Sequence, residues 1–486
     1  MRRSVRSTFI ARSLRCALVL SAALTLPAAA QEPVVSADSL PSALSAKVRA
    51  AITDVMHRTG VPSASVGIVR NGHVAYVAAF GAARLSPPMP ATPAMHYAIG
   101  SISKQFTVAA VMLLQQEGKL SIDDPVSRWF PELTRANEVT LRNLMSHTSG
   151  YEDYAPQDYT IPAWTHPSSA EKIVHEWATK PLDFDPGTQY QYSNTNFNIV
   201  GLIVQKASGQ PFWTFLKSRV LDPVGLSGAI DLDTQHNLLE PTGYFRHALG
   251  PLRPALMEAP GWYFADGELA MPVGDLLRWD VSVMNKTLLS PASYAAMEAP
   301  TRLKDGLYSN YGLGVSVGAL DGHRAFSHGG EVGGFVASNT VFPDDKIAVA
   351  VLTNQEASPA AGAIGRALSQ LLIAPPTTAA VSDDAASAEQ LARTVLAGLQ
   401  HGKIDRSQFT ANANFYFDAA ALADYASSLG PLGAIKMLRQ TSTALRGGMT
   451  YRGFAVQFAN GSTATLSTYT VPGGKYEQFL VEPGGM

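Results

Sequence analysis

The chain has almost no cysteine. Its 486 residues contain one, Cys16, which lies in an apolar stretch close to the N-terminus. The rest of the chain therefore has no disulfide, no thiol nucleophile and no thiolate metal site. Histidine, aspartate and glutamate show no metal-ligand spacing either. The sequence predicts neither a metal nor another cofactor.

An excess of charge of one sign is also missing. Lys and Arg number 37 against 39 Asp and Glu, which gives a formal net charge of −2. Without a basic field, a nucleic-acid partner is not expected. Hydrophobic residues make up 46% of the chain and charged residues 16%, as is typical of a globular protein. Beyond the first 30 residues, no apolar run approaches the length of a membrane span.

Residues 1–30 have the pattern of a secretory signal peptide. Arginines precede an apolar stretch over 16–26, which is too short to span a bilayer. Ala28-Ala29-Ala30 then forms a small-residue cleavage site. An uncleaved membrane anchor is the alternative. We expect cleavage, no stable membrane span afterwards, and a periplasmic or secreted protein.

Residues 31–373 predict strands at both ends and helices in the middle. Asn71-Gly72 joins two β-rich runs and is a strong hairpin signal, because both positions tolerate positive φ. Four later strands are predicted, over 311–317, 325–328, 336–342 and 347–352. This order favours an α/β (α+β) fold, in which one antiparallel sheet is flanked by helices with a helical region beside it.

The last part of the chain differs in composition. Residues 374–387 are small, polar and Pro-containing, as is typical of a linker. Residues 388–486 predict two helices followed by four strands, and thus a small α+β domain. No catalytic constellation is visible in it. Covering the cleft, binding cell-wall material and dimerisation all stay open as its role.

Ser101 and Lys104 suggest a nucleophile with its activator. At i and i+3 they lie on one face of a helix, one turn apart. They also stand at the N-terminus of an amphipathic run, where Gly100 allows a close approach of the chain. A neighbouring amine can take the serine proton during acyl transfer. The alternative is a helix-capping serine beside an exposed lysine.

A Tyr-Ser-Asn tripeptide occurs twice, beginning at Tyr192 and at Tyr308. Tyr192 follows a Pro-Gly segment and precedes a predicted helix, so it is expected on a loop that can present a functional side chain. Tyr308 comes just before a predicted strand, and we interpret it as structural or cleft-lining. The context favours Tyr192, and with it Asn194.

His328-Gly329-Gly330-Glu331 stands at the end of a predicted strand. Glycines there allow a ligand to approach the backbone closely. An edge strand could also bind the substrate backbone and lend one N–H group to an oxyanion hole. The alternative is a glycine-rich hairpin with a solvated histidine.

The order and spacing of these motifs resemble those of the penicillin-recognising serine hydrolases, the superfamily of class C-type β-lactamases and D-alanyl-D-alanine peptidases. The resemblance covers roughly residues 40–373. Besides the three motifs it includes segments 118–126, 144–150 and 351–354. It implies a β-lactamase-like fold. It also implies that Ser101 is the acylated nucleophile and that Lys104 and Tyr192 form the proton-transfer network, either of them being the general base.

The resemblance further implies a set of substrate-binding residues. Asn194 would help to hold the acyl side chain, and the backbone N–H of Glu331 would form the oxyanion hole with that of the nucleophile. His328, Gly329 and Gly330 would belong to the substrate-binding strand. β-Lactamases usually have lysine where this chain has His328, which is mostly neutral at pH 7. Efficient recognition of a substrate carboxylate is therefore not expected.

Further polar and aromatic residues are given structural interpretations. His147 could suggest a Ser-His-Asp triad, but Lys104 already fills the activating role, so His147 is interpreted as structural. Several aromatic residues are candidates either for the cleft lining or for the core: Tyr151, Trp164, Trp262 and Tyr263.

The sequence thus predicts a secreted or periplasmic serine hydrolase that acts through an acyl-enzyme on an amide or ester. Its substrate would be a small molecule or a peptide, and cell-wall material is a candidate partner. A peptidase, for instance a carboxypeptidase, or an esterase for D-amino-acid-like substrates is favoured. A β-lactamase and a non-catalytic, penicillin-binding-like sensor are the alternatives.

Overall fold

The structure is a computed structural model that describes most of the chain after the predicted signal peptide. The described residues are 33–320, 323–373, 385–446, 449–471 and 473–484. The predicted signal peptide, 1–30, lies outside them. So does the predicted linker, 374–387, except for its last three residues, which begin a helix.

Strands form two main sheets, in which all neighbouring strands are antiparallel. The predicted Asn71-Gly72 hairpin is confirmed, with φ of 55° and 79° at the two residues. The strands are β1 (Val34–Asp38), β2 (Ser63–Arg70), β3 (His73–Arg84), β4 (Met89–Pro90), β5 (Tyr97–Ala98), β6 (Ile230–Asp231), β7 (Tyr244–Phe245), β8 (Arg253–Pro254), β9 (Leu269–Met271), β10 (Ser316–Leu320), β11 (His323–Val332), β12 (Phe335–Phe342), β13 (Ile347–Thr353), β14 (Ile435–Arg446), β15 (Met449–Phe458), β16 (Thr463–Thr470) and β17 (Tyr476–Pro483).

Helices cover the sheets and fill the middle of the chain. They are α1 (Ser42–Thr59), α2 (Lys104–Gln116), α3 (Leu141–Met145), α4 (Ala170–Trp177), α5 (Asn194–Ser208), α6 (Phe212–Leu216), α7 (Asp222–Val224), α8 (Leu232–Gln235), α9 (Phe264–Gly267), α10 (Val273–Asn285), α11 (Pro291–Glu298), α12 (Ala360–Leu372), α13 (Ala385–Leu399), α14 (Ala411–Tyr416) and α15 (Ala419–Leu429). Among the described residues, no helix combines the length and apolar character needed to cross a membrane.

The larger sheet joins both ends of the first domain, as the sequence predicts. Its strand order is β1-β3-β2-β13-β12-β11-β10, with β4 paired to β3. Apolar residues of α1 and α12, such as Val48 and Ile364, pack on one face. On the other face, α10 packs against β2 and β13, and the helical region built around α2 and α5 lies next to it.

The helices α2 and α5 bring polar residues into the interior. Every residue from Lys104 to Leu114 in α2 is buried, and so is every residue from Asn194 to Val204 in α5. Both runs are mainly apolar, and burial of that surface stabilises the two helices against each other and the sheet. Because Lys104 and Asn194 begin these helices, packing them together also brings the two side chains together.

The predicted strand over 311–317 is mostly wrong, since only residues from Ser316 onwards belong to β10. The preceding residues form a turn in which the Gly312 N–H bonds to the Val315 carbonyl. Gly314 has φ of 69°, and a Cβ there would lie 2.9 Å from the Lys104 carbonyl oxygen. The turn therefore passes close under α2, where an ordinary strand residue has no room.

The C-terminal residues form the small sheet domain that the sequence predicts. β14, β15, β16 and β17 pair in chain order, and α13, α14 and α15 bury their apolar residues against them. Contacts join this sheet domain to the first domain. Tyr159 donates to the Glu477 carbonyl at 2.9 Å, and Arg253 forms an ion pair with Asp424.

Candidate active site

Ser101 and Lys104 meet as the i, i+3 spacing predicts. Ser101 lies in a 3₁₀ turn, Gly100–Ser103, that leads directly into α2. The Nζ of Lys104 is 2.9 Å from the Ser101 Oγ. Lys104 is 0% exposed. A buried amine is costly without hydrogen-bond partners, so its surroundings determine what it can do.

Two further acceptors surround the Lys104 amine. Its Nζ lies 2.7 Å from the Asn194 Oδ1 and 2.8 Å from the Asp266 carbonyl oxygen. A neutral lysine has two N–H groups and one lone pair. When the two N–H groups bond to these acceptors, the lone pair is left for the Ser101 hydroxyl. When Lys104 is protonated, all three acceptors are satisfied, so the same geometry suits both protonation states.

Tyr192 lies beside this amine. The Lys104 Nζ is 5.0 Å from the centre of the Tyr192 ring. The ring of buried His147 packs against the Tyr192 ring, with centroids 4.1 Å apart, and its Nδ1 accepts the N–H of Ser193 at 3.2 Å. His147 thus supports the Tyr192 loop, in agreement with its structural interpretation.

Asn194 contacts the protein on both sides of its amide. Its Oδ1 accepts from Lys104, and its Nδ2 donates to the Ala155 carbonyl at 3.2 Å. Its backbone N–H donates to the Asp153 carboxylate at 2.9 Å. The side chain also lines the cleft. The structure therefore places Asn194 as a positioning residue for Lys104, in addition to the substrate role that the resemblance implies.

Strand β11, which carries Gly330 and Glu331, lies directly against the 3₁₀ turn Gly100–Ser103 that carries Ser101. A Cβ on Gly330 would lie 1.8 Å from the Ile99 carbonyl oxygen and 3.0 Å from the Ser101 nitrogen. A Cβ on Gly100 would lie 2.6 Å from the Glu331 nitrogen. Only glycine fits at both positions. This contact brings the backbone N–H groups of Ser101 and Glu331 to one place, as an oxyanion hole requires.

His328 has both ring nitrogens engaged by protein groups. Its Nδ1 faces the Gly329 carbonyl and therefore donates to it. Its Nε2 lies 2.8 Å from the Tyr311 hydroxyl, which donates to it when the ring is neutral. His328 is only 7% exposed. Sequence reasoning missed Tyr311, which it treated as part of a strand.

The second Tyr-Ser-Asn tripeptide is separate from the site. Tyr308 is 63% exposed and is absent from the described cleft lining, so the cleft-lining part of its interpretation is wrong. The helix that follows Tyr192 is the sequence feature that distinguishes the two tripeptides, and Tyr192 lies beside Lys104.

Ser101 opens onto a cavity of about 450 Å³ with a strongly aromatic wall. Trp164, Trp262 and Tyr263 line it, whereas Tyr151 is buried elsewhere and donates to the Thr134 carbonyl. The other aromatic residues of the lining are Tyr154, Tyr159, Tyr190, Tyr192, Tyr451 and Tyr469. The last two belong to the C-terminal sheet, in which sequence reasoning found no functional residue.

Carboxyl groups are the other feature of this cleft. Among the described residues that line it there is no lysine or arginine, but five acids contribute: Asp158, Glu258, Asp266, Glu331 and Glu356. Burial raises the pKa of Asp266 to about 7, although the Lys104 charge acts against this. Burial also raises the pKa of Glu356 to about 8. Glu331 belongs to a motif named from the sequence, but only for its backbone N–H, and the other four acids are scattered along the sequence, so no local pattern pointed to them.

A metal centre is not apparent in the part of the chain that the structure describes. No group of three or more His, Cys, Asp or Glu residues there is arranged to hold a metal ion.

The sequence and structure are similar to those of known proteins. A D-aminopeptidase from Gluconobacter oxydans (strain 621H) is 26% identical over 325 residues, which are 65% of this chain and 60% of that protein. A D-stereospecific amidohydrolase from Streptomyces sp. has a structure that matches with a TM-score of 0.58 and 25% identity, over 68% of this chain and 98% of that one. A penicillin-binding protein homologue from Pyrococcus abyssi shares the fold, with a TM-score of 0.61 and 20% identity over 90% and 99% of the two chains.

Fold, site and relatives together define a serine hydrolase of the type related to β-lactamases and penicillin-binding proteins. The sequence model of the Beta-lactamase family matches residues 48–372. The chain belongs to that family.

Proposed function

We propose that this enzyme hydrolyses amide or ester bonds through an acyl-enzyme on Ser101, and that the acyl group is a D-amino-acid residue. The observation that carries the proposal is the surroundings of Lys104. Two acceptors bind its N–H groups and leave its lone pair for the Ser101 hydroxyl. A buried lysine held in this way is suited to act as a base near neutral pH.

The reaction then follows from the positions of these groups. The Ser101 proton passes to the Lys104–Tyr192 pair while the Oγ bonds to the substrate carbonyl carbon. The N–H groups of Ser101 and Glu331 stabilise the negative oxygen. The C–N or C–O bond breaks, and the leaving group takes the proton from the pair. Water attacks the acyl-enzyme by the same route, which releases the acid and restores the serine.

The composition of the cleft supports an amidase or peptidase more than a β-lactamase. A β-lactam substrate carries a carboxylate, and the described lining offers no lysine or arginine to bind it. His328 holds its Nδ1 hydrogen on the Gly329 carbonyl. The names of the relatives point in the same direction, since they include a D-aminopeptidase and a D-stereospecific amidohydrolase. From the pattern of residues 1–30 we propose a periplasmic or secreted location.

Hydrolysis of D- and L-phenylalanine amides and methyl esters tests the proposal. We expect kcat/KM for at least one D-substrate to exceed that of its L-form, and Ser101→Ala to lower it by at least about 10³-fold. Equal rates on both stereoisomers would contradict the D-amino-acid part. Substantial turnover by Ser101→Ala would contradict the nucleophile.

The β-lactamase alternative is tested with the same protein. We expect a chromogenic cephalosporin to be hydrolysed poorly by the wild type. Its kcat/KM should rise in His328→Lys, because that substitution supplies the cation that a carboxylate requires. Efficient cephalosporin hydrolysis by the wild type would favour the alternative.

A further inference from the structure

Residues 155–158 connect the catalytic residues to the C-terminal sheet. At one end, Asn194, whose Oδ1 accepts from the catalytic lysine, donates its Nδ2 to the Ala155 carbonyl at 3.2 Å. At the other end, the Asp158 N–H donates to the Gln478 Oε1 at 2.7 Å, and the Gln478 Nε2 donates to the Asp158 carboxylate at 3.0 Å. Three residues span at most about 11 Å of backbone. The C-terminal sheet therefore lies within reach of a bound substrate.

A row of side chains crosses the C-terminal sheet from Gln478. Tyr469 of β16 lies opposite Gln478 of β17, and Tyr451 of β15 lies opposite Tyr469. Residues directly opposite each other in an antiparallel sheet share one face, so both tyrosines lie on the face that contacts the first domain. Their ring centroids are 5.3 Å apart, and both rings line the cavity onto which Ser101 opens. The second domain thus adds a pair of aromatic rings to the active-site cavity.

Aromatic residues of the first domain line the same cavity, and their polar ends are held by the protein. The Trp262 Nε1 donates to the His166 carbonyl at 2.7 Å. The Tyr154 hydroxyl donates to the Trp262 carbonyl at 2.6 Å, and the Tyr159 hydroxyl donates to the Glu477 carbonyl at 2.9 Å. Because these bonds occupy the polar atoms, the three side chains offer a ligand mainly ring surface. Such a lining favours an apolar ligand group.

We propose that Tyr451 and Tyr469 bind an aromatic or large apolar group of the substrate, and that the C-terminal domain thereby takes part in substrate selection. The inference rests on the proposed function, which it makes more specific. The cavity of about 450 Å³ has the size of a site for a small molecule. The model of the Beta-lactamase family ends at residue 372, so these two specificity residues lie outside the part of the chain that the family model matches.

Two pairs of substrates test the pocket on the wild-type enzyme. The first pair, the p-nitroanilides of D-phenylalanine and D-alanine, varies the acyl group. The second pair, the benzylamide and the methylamide of D-alanine, varies the leaving group. The L-forms replace them if the enzyme hydrolyses those faster. We expect kcat/KM to be at least about tenfold higher for the larger member of one pair, because its ring is buried on binding. The pair that shows this preference identifies the part of the substrate that the pocket holds.

Variants then assign the residues, through the ratio of kcat/KM for the larger and the smaller substrate of that pair. Tyr451→Ala and Tyr469→Ala should each lower the ratio at least about fivefold, whereas Tyr451→Phe, which keeps the ring, should retain it. Phe415→Ala is the matched control. Phe415 is an aromatic residue of the same domain, but it is 58% exposed and is not among the described residues of the cleft lining. A loss of folded enzyme lowers both rates together and leaves the ratio unchanged.

The outcomes separate this inference from the function on which it rests. No preference for the larger member of either pair overturns the aromatic pocket, and this comparison needs no variant to fold. A preference that Tyr451→Ala and Tyr469→Ala both retain overturns the assignment to the C-terminal domain. In both cases, hydrolysis that Ser101→Ala abolishes would leave the proposed serine chemistry standing. A folded wild type that hydrolyses none of the four substrates would remove the proposed function and this inference with it.

Discussion

At the residue scale, the Lys104 amine is the centre of the site, because it contacts the nucleophile and lies beside Tyr192. Its fixed acceptors, the Asn194 Oδ1 and the Asp266 carbonyl, hold it in one position for both halves of the reaction. A base held by preformed acceptors needs little reorganisation when the proton moves. Its burial beneath the cleft also keeps competing water away from it.

Tyr192 and Tyr308 offer a matched pair of substitutions at this scale. Both begin a Tyr-Ser-Asn tripeptide, but only Tyr192 lies beside Lys104. We expect Tyr192→Phe to lower kcat by about 10²- to 10⁴-fold, the usual contribution of a group that transfers a proton. Tyr308→Phe should change kcat by less than about twofold, since exposed residues outside a site rarely matter. Steady-state kinetics on one substrate compares the two, and similar losses in both would contradict the assignment of Tyr192.

The motif residues could be found from the sequence because local patterns mark them. Ser101 and Lys104 share one helical turn, and the helix after Tyr192 separates it from Tyr308. Asp266 could not be found in this way, because it acts on Lys104 through a backbone carbonyl, which every residue has. Tyr311 was missed because its contact with His328 depends on a turn that the sequence pattern suggested to be a strand.

At the scale of elements, the site depends on how closely β11 approaches the turn before α2. Gly100 and Gly330 face each other across this contact, and a Cβ on either would meet backbone atoms. Backbone cannot move aside as the end of a long side chain can, so the distance between turn and strand is fixed. The two N–H groups of the oxyanion hole depend on that distance. The sequence pattern predicted both elements, but the distance between them appears only in the folded structure.

Alanine substitutions of Gly329 and Gly330, which are neighbours on β11, test this contact. A Cβ on Gly330 would lie 1.8 Å from the Ile99 carbonyl oxygen, whereas one on Gly329 would meet only the Ala337 carbonyl oxygen at 3.7 Å, an ordinary contact. We expect Gly330→Ala to abolish most activity and to cost about 1–3 kcal/mol of stability, as overpacking does. Gly329→Ala should keep the fold and its stability, because a Cβ there meets only an ordinary contact. Activity and thermal unfolding of both variants check this, and a fully active Gly330→Ala enzyme would contradict the proposed oxyanion hole.

At the scale of the whole molecule, two domains build one cleft. The sequence predicted the first domain's sheet, its helices and the separate C-terminal α+β domain. It could not show that Tyr451 and Tyr469 line the cavity beside Ser101, because that contact joins residues more than 300 positions apart. Nor could it show that Asp158, Glu258 and Glu356 line the same cavity, since they lie far apart in the sequence of the first domain and come together only in the folded structure.

The stability of the whole molecule should also depend on pH, because an acid that is buried without a counter-charge changes its pKa on folding. Asp280 in α10 is fully buried beside Asn339 of the sheet, and burial raises its pKa from 3.8 to about 8. Between pH 3.8 and about 8, the folded state therefore keeps a proton on Asp280 that the unfolded state has lost. The contribution of Asp280 to stability is complete below pH 3.8 and is lost as the pH rises to about 8.

Asp280→Asn removes this dependence, because the amide resembles the protonated acid. We expect a melting temperature close to that of the wild type at pH 4 and a few degrees above it at pH 8. Glu298→Gln, which alters a carboxyl in a different environment with Arg324 nearby, serves as a comparison. Thermal unfolding monitored by circular dichroism across this range measures the difference. An Asp280→Asn variant that is equally destabilised at both pH values would contradict a protonated Asp280 in the folded state.

The most direct measurement is intact-protein mass spectrometry after exposure to a fluorophosphonate, with wild type and Ser101→Ala treated side by side. We expect one adduct on the wild type and none on the variant, because a single serine is activated by Lys104. An adduct on both proteins, or none on a folded wild type, would contradict the assignment of Ser101 as the nucleophile.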